Sequence, residues 1–138
     1  MAQQITGSCL CGRVTYTIDG DPVFAALCHC SDCRKSSGTG HAAAIAVPDE
    51  AVKLQGETRG YSSQTDSGNT ATRHFCPNCG SPIYNTNTGM SGMKIVHVGG
   101  FDDPNLFEPQ MVVFASRAAK WDKAGPGLPS FVEMPPMG

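Results

Sequence analysis

Seven cysteines in three clusters carry the readable chemistry of this 138-residue chain: Cys9-Leu-Cys11, Cys28-His-Cys30-Ser-Asp-Cys33 and Cys76-Pro-Asn-Cys79-Gly80. An odd number cannot all pair as disulfides within one chain. The opening residues carry neither a charged nor an apolar leader segment. A reducing, cytoplasmic compartment is therefore expected, where clustered cysteines more often hold metal or do chemistry than form disulfides.

The C-P-x-C-G run is the most specific of the three. In such a turn two thiolates face one ion, and Gly80 supplies the positive φ that closes it. One knuckle furnishes half of a tetrahedral four-cysteine zinc site, so a second pair must come from elsewhere. If Cys9 and Cys11 complete Cys76 and Cys79, then Cys28, Cys30 and Cys33 are left together within six residues. Three thiolates leave one coordination position open, and an open position separates catalytic from structural zinc. The alternative division gives the knuckle two of the middle cysteines and scatters Cys9, Cys11 and one other, a poorer geometry. For the trio, three readings stay open at this point: an open zinc, a closed zinc completed by a histidine, and reactive thiols without metal. Neighbours in an extended segment point to opposite sides, which makes His29 a poor partner for Cys28 and Cys30. His41, His74 and His97 are the other candidate fourth ligands.

Three thiolates outweigh the double charge of zinc. Such an ion is poorly suited to making hydroxide from water and better suited to holding an incoming thiol as thiolate. Arg34 and Lys35 directly follow Cys33 and would offset the charge of a fourth sulfur. His41 and His29 are the candidate proton donors.

These clusters need short, well-fixed elements. Runs rich in β-branched or apolar residues predict strands over 13–18, 23–28, 41–47, 52–55, 58–62, 72–76, 82–85, 94–98 and 110–114, separated by Gly, Pro, Asn and Asp turns. One helical turn is expected over 31–36, capped by Ser31 or Asp32, and another over 116–122. The polar stretch 64–72 reads as a surface loop, and Trp121 as a core anchor. Ser36-Ser37-Gly38-Thr39-Gly40 lacks the lysine of a phosphate-binding loop and reads as a turn. The chain is expected to be one domain over 1–138, with a core from about 5 to 123 and an extended tail over 124–138.

Composition closes off other classes. Sixteen glycines and ten prolines argue against long helices. No apolar run approaches the ~20 residues of a membrane span. A net charge of −2 without a basic stripe speaks against nucleic acid.

With Gly7-Ser-Cys-Leu-Cys-Gly-Arg-Val, Cys28-His-Cys-Ser-Asp-Cys-Arg-Lys, Phe75-Cys-Pro-Asn-Cys-Gly-Ser-Pro-Ile-Tyr, Trp121 and Leu128-Pro-Ser-Phe in this order, nearly the whole chain resembles the glutathione-dependent formaldehyde-activating enzyme family, also called the centromere-protein-V-like domain. The resemblance implies a mainly β fold of antiparallel sheets with little helix, a zinc-stapled β-tent holding two zinc ions. It implies that Cys9, Cys11, Cys76 and Cys79 hold a structural ion, and that Cys28, Cys30 and Cys33 hold a second whose free position takes water or a thiol. It further implies reversible addition of glutathione to formaldehyde, giving S-hydroxymethylglutathione; run backwards, this is a carbon–sulfur lyase. On that basis the catalytic set is Cys28, Cys30, Cys33 and Arg34, the last for charge compensation or a substrate carboxylate. The expected partners are a small thiol and a small aldehyde, with neither nucleic acid nor membrane. The rival reading is a non-enzymatic, zinc-ribbon-like protein-binding module with two closed zinc sites.

Overall fold

Alternating inward and outward residues build the first sheet. Ile5 and Gly7 face inward from β1 (Gln4–Ser8), and Tyr16 and Ile18 from β2 (Thr15–Asp19). These strands pair antiparallel, Ile5 opposite Ile18 and Gly7 opposite Tyr16, and β5 (Val52–Gln55) joins the other edge of β2. The structure, a computed structural model, describes residues 4–123 and 125–136. β1 falls outside the strands expected from sequence, because one isoleucine and one inward glycine give it almost no strand signature. The glycine is required: a Cβ at Gly7 would strike the Tyr16 ring and the Gly100 carbonyl.

The second sheet comprises β3 (Phe24–Cys28), β4 (Ala42–Pro48), β6 (Arg59–Gln64), β7 (Thr70–Phe75), β8 (Pro82–Asn87), β9 (Met93–His97) and β10 (Met111–Val113). Their order is β10-β3-β4-β9-β8-β7-β6. Every neighbouring pair is antiparallel except β10 with β3, which run parallel. The inner faces of the two sheets meet in one core: Ile5, Tyr16, Ile18 and Phe101 against Ala25, Ile45, Val47 and Val96. Phe101 meets the Tyr16 ring edge-on at 6.5 Å. A smaller apolar cluster of Cys9, Val14, Cys76 and Ile83 lies beside it.

Among the described residues, helix is confined to α1 (Ser31–Ser37) and short 3₁₀ turns. The cap of α1 is Cys30, whose sulfur accepts the Cys33 N–H at 3.3 Å, rather than Ser31 or Asp32; Gly38, at φ 78°, ends the helix. The helix expected over 116–122 shrinks to a 3₁₀ turn, Ala115–Arg117. There the Ser116 hydroxyl donates to the Val132 carbonyl at 2.9 Å, so the tail claims the segment. Trp121 is not a core anchor: it is 70% exposed. The loop expected over 64–72 narrows to 65–69, since β6 and β7 form a hairpin through both ends, with Ser62 and Thr72 hydroxyls 2.8 Å apart. The tail runs along β10, with Val112 N–H donating to Pro129 O and Phe131 N–H to Val112 O, which pairs an otherwise open edge. Residues 124, 137 and 138 of that tail lie outside the described residues.

His97, at the end of β9, gives the fold a pH dependence. It is buried, with Nε2 3.2 Å from Asn85 Oδ1. Burial, and then the nearby Arg73 charge, push it down to about 4. In the unfolded chain the imidazole takes up its proton near pH 6.5. Its contribution is therefore full above about pH 6.5 and is lost as the pH falls towards 4, by roughly 3 kcal/mol. Urea unfolding should show wild type losing about that much more stability than His97→Gln between about pH 7 and pH 4; parallel pH curves would disprove it.

Candidate active site and metal centres

Cys9 and Cys11 sit in the turn from β1 to β2, and Cys76 and Cys79 in the turn from β7 to β8. The two turns meet, and all four sulfurs lie within 4.8 Å of one another. Cys9 Sγ is 3.6 Å from Cys11 Sγ, which is 3.7 Å from Cys76 Sγ. A bonded pair of sulfurs would be ~2.05 Å apart. Four sulfurs at ~2.3 Å around a tetrahedral zinc have edges of ~3.8 Å, so these spacings fit the ion. Gly12 (φ 83°) and Gly80 (φ 78°) close the two turns in a conformation that favours glycine. The Val14 N–H donates to Cys9 Sγ at 3.3 Å. The Ser81 hydroxyl accepts the Leu10 N–H at 3.1 Å and sits 3.2 Å from Cys79 Sγ, linking one turn to the other. The Ser81 hydroxyl, then its N–H, hold the Cys79 thiol down to about 5, which favours the thiolate a metal needs.

The remaining three sulfurs also converge. Cys28 ends β3, Cys30 caps α1, and Cys33 lies in its first turn; their sulfurs fall within 4.8 Å of one another. Among the described residues, no fourth His, Cys, Asp or Glu atom joins them. Donation by the Cys28 and Cys33 thiols, and then by backbone N–H groups, brings Cys30 down to about 2. Cys28, donating to Cys30, is pushed up to about 12, and Cys33 is raised by donating to Cys28 and then Cys30. Three sulfurs brought this close form a donor set that suits a soft or borderline cation. The histidines weighed as fourth ligands go elsewhere. His74 stacks on Tyr84 at 4.3 Å, His97 turns to Asn85, and His29 and His41 meet at Asp122. Arg34 and Lys35 lie exposed on α1.

A cleft of about 190 Å³ abuts the same helix, lined by Ser36, Tyr61, Arg73, His74, Asn85 and His97. The Ser36 hydroxyl donates to the Cys33 carbonyl at 3.4 Å, joining the cleft wall to the trio's helix. Arg73 Nε is buried and has no hydrogen-bond partner among the described residues. Arg73 has no signal in the sequence, being one arginine in a strand. A larger groove of about 460 Å³, bordered by Thr6, Thr17, Lys53 and Gln55, holds neither cysteine nor histidine.

Among known proteins, the profile of the glutathione-dependent formaldehyde-activating enzyme family matches residues 4–117. A Halomonas elongata protein carrying the same family name is 31% identical over 85 residues, which span 58% of this chain and 54% of that protein. The match thus extends over about half the length of that relative. The crystal structure of a Rhodobacter sphaeroides protein, a structural-genomics target, superposes with a TM-score of 0.59 at 23% identity, over 75% of this chain and 96% of the other. That likeness concerns the fold. No helix among the described residues is long and apolar enough to cross a membrane.

Proposed function

Since this chain belongs to the glutathione-dependent formaldehyde-activating enzyme family, we propose that it is a zinc-dependent carbon–sulfur lyase. It would join glutathione, or a closely related thiol, to formaldehyde as S-hydroxymethylglutathione and reverse that addition. The observation that carries this reading is the trio of Cys28, Cys30 and Cys33, three sulfurs with no fourth protein ligand among the described residues.

Zinc held by these three cysteines would supply a Lewis acid that lowers the pKa of an arriving thiol. The chain's own residues do the rest. Arg73, which lines the cleft beside the trio's helix, offers a guanidinium N–H to a carboxylate of the thiol substrate, a charged hydrogen bond worth roughly 1.5–3 kcal/mol. Arg34 and Lys35, exposed beside the trio, offset the charge that a fourth sulfur brings. The quartet of Cys9, Cys11, Cys76 and Cys79 would hold a second, structural zinc within one domain spanning 1–138. The partners are then two small molecules, a thiol and an aldehyde, with no role for nucleic acid or membrane. A reducing cytoplasmic setting would keep all seven thiols free to bind metal.

Titrating glutathione into the cobalt-substituted protein tests this. The visible spectrum should change and saturate at millimolar thiol. Arg73→Met should raise the midpoint roughly tenfold while leaving the end-point spectrum unchanged. A spectrum indifferent to millimolar glutathione would overturn the proposal and favour a protein-binding module.

A further inference from the structure

His29 stands between two cysteines of the trio, yet its ring meets a different set of groups. Asp122 Oδ2 lies 2.7 Å from His41 Nδ1 and 3.6 Å from His29 Nδ1. The two imidazole rings are 5.3 Å apart, tilted by 49°. All three donor atoms lie within 4.8 Å of one another.

Hydrogen bonding leaves one member of this cluster, His29, unsatisfied. The His29 side chain is 2% exposed, and its Nδ1 has no hydrogen-bond partner among the described residues. At 3.6 Å the Asp122 oxygen is beyond hydrogen-bond reach. A buried ring nitrogen with no partner is unfavourable unless something satisfies it. The backbone is shaped to bring the carboxylate in: a Cβ at the buried Gly40 would collide with the Asp122 carboxylate.

We propose that His29, His41 and Asp122 form a third metal site, chemically distinct from the two thiolate clusters. Its donors are two imidazole nitrogens and one carboxylate oxygen, a set that takes zinc or a neighbouring divalent transition ion. Ligands at ~2.0–2.1 Å around tetrahedral zinc are ~3.3 Å apart. The present separations of 2.7 and 3.6 Å bracket that value, so small side-chain movements would seat the ion. Binding would satisfy His29 Nδ1 and tie three distant pieces of chain together: the β3–α1 junction, the start of β4, and the segment entering the tail. The site stands independently of the lyase reading, because none of its ligands belongs to the trio.

Cobalt loading separates the sites, since only thiolate-bound cobalt shows intense sulfur-to-metal charge-transfer absorption. Under excess cobalt, wild type should bind one further equivalent after that absorption has saturated. His41→Gln and Asp122→Asn should each lose this equivalent and keep the thiolate absorption intact. No further equivalent in wild type, or its retention in both variants, would overturn the proposal. Should either variant lose the thiolate absorption as well, anomalous diffraction from zinc-soaked wild-type crystals decides. A peak among His29 Nδ1, His41 Nδ1 and Asp122 Oδ2 supports the site, and its absence removes it.

Discussion

Cys76→Ser is expected to leave the chain unfolded and insoluble, whereas Cys30→Ser should fold and melt close to wild type. The difference follows from where the two sulfurs sit. Cys76 is fully buried and, with Cys9, Val14 and Ile83, makes up the smaller apolar cluster. Its quartet joins the β1–β2 turn of one sheet to the β7–β8 turn of the other. A structural zinc in such a site contributes roughly 10–16 kcal/mol of apparent binding at neutral pH. A whole domain has only about 5–15 kcal/mol of net stability. If the quartet holds zinc as proposed, losing the ion removes as much as the fold possesses, and Cys9→Ser should behave like Cys76→Ser. Cys30 is half-buried and belongs to neither core cluster. Its replacement disturbs a helix cap, worth about 1 kcal/mol, and serine is itself a good cap. Circular dichroism, soluble yield and zinc content of the three variants measure this. Equal melting of all three would refute the division of the seven cysteines into a stapling quartet and a dispensable trio.

Parts of this arrangement were legible in sequence because they depend on short spacings. Cys76-Pro-Asn-Cys79-Gly80 encodes its own turn, and the trio spans only the end of a strand, a helix cap and the first turn after it. Strand β4 was legible because Ile45, Val47 and Pro48 fix its end in spite of three alanines. What lay hidden depends on distant pieces of chain meeting. β1 has a strand's geometry only because Gly7 lets the Tyr16 ring cross it. β10 runs parallel to β3, a pairing no local pattern encodes. Asp122 acquires meaning only when folding carries it 81 residues back to His41. Trp121 misleads for the same reason: a tryptophan in a predicted helix reads as core, but the tail takes the segment's hydrogen bonds and leaves the ring in solvent. Arg73 and the cleft it lines emerge only once β7, β8 and β9 lie side by side with α1.

The substitution that spares the fold should abolish catalysis. In Cys30→Ser the acceleration of glutathione addition to formaldehyde is expected to fall to the rate in buffer. The size of that loss can be bounded. A thiol with a pKa near 8.5 is only ~3% ionised at pH 7. A site that stabilises the thiolate can therefore raise its fraction by roughly 30-fold before any gain from holding the aldehyde close. Because the uncatalysed addition is already facile, the measurement must be the exchange rate between free and adduct formaldehyde by NMR, with buffer alone subtracted. The pH profile supplies the sign. Acceleration over buffer should be greatest below the thiol's own pKa and should shrink as pH rises through about 8.5, where free thiolate becomes plentiful. An acceleration that grows with pH would point to a general base instead, and the imidazole pair that meets at Asp122, His29 and His41, would become the place to look. Persistence of the full rate in both Cys30→Ser and Cys33→Ser would detach the activity from the trio altogether. The sulfurs at the β3–α1 junction would then be a second structural clasp, and the cleft beside Arg73 would need a different chemistry to explain it.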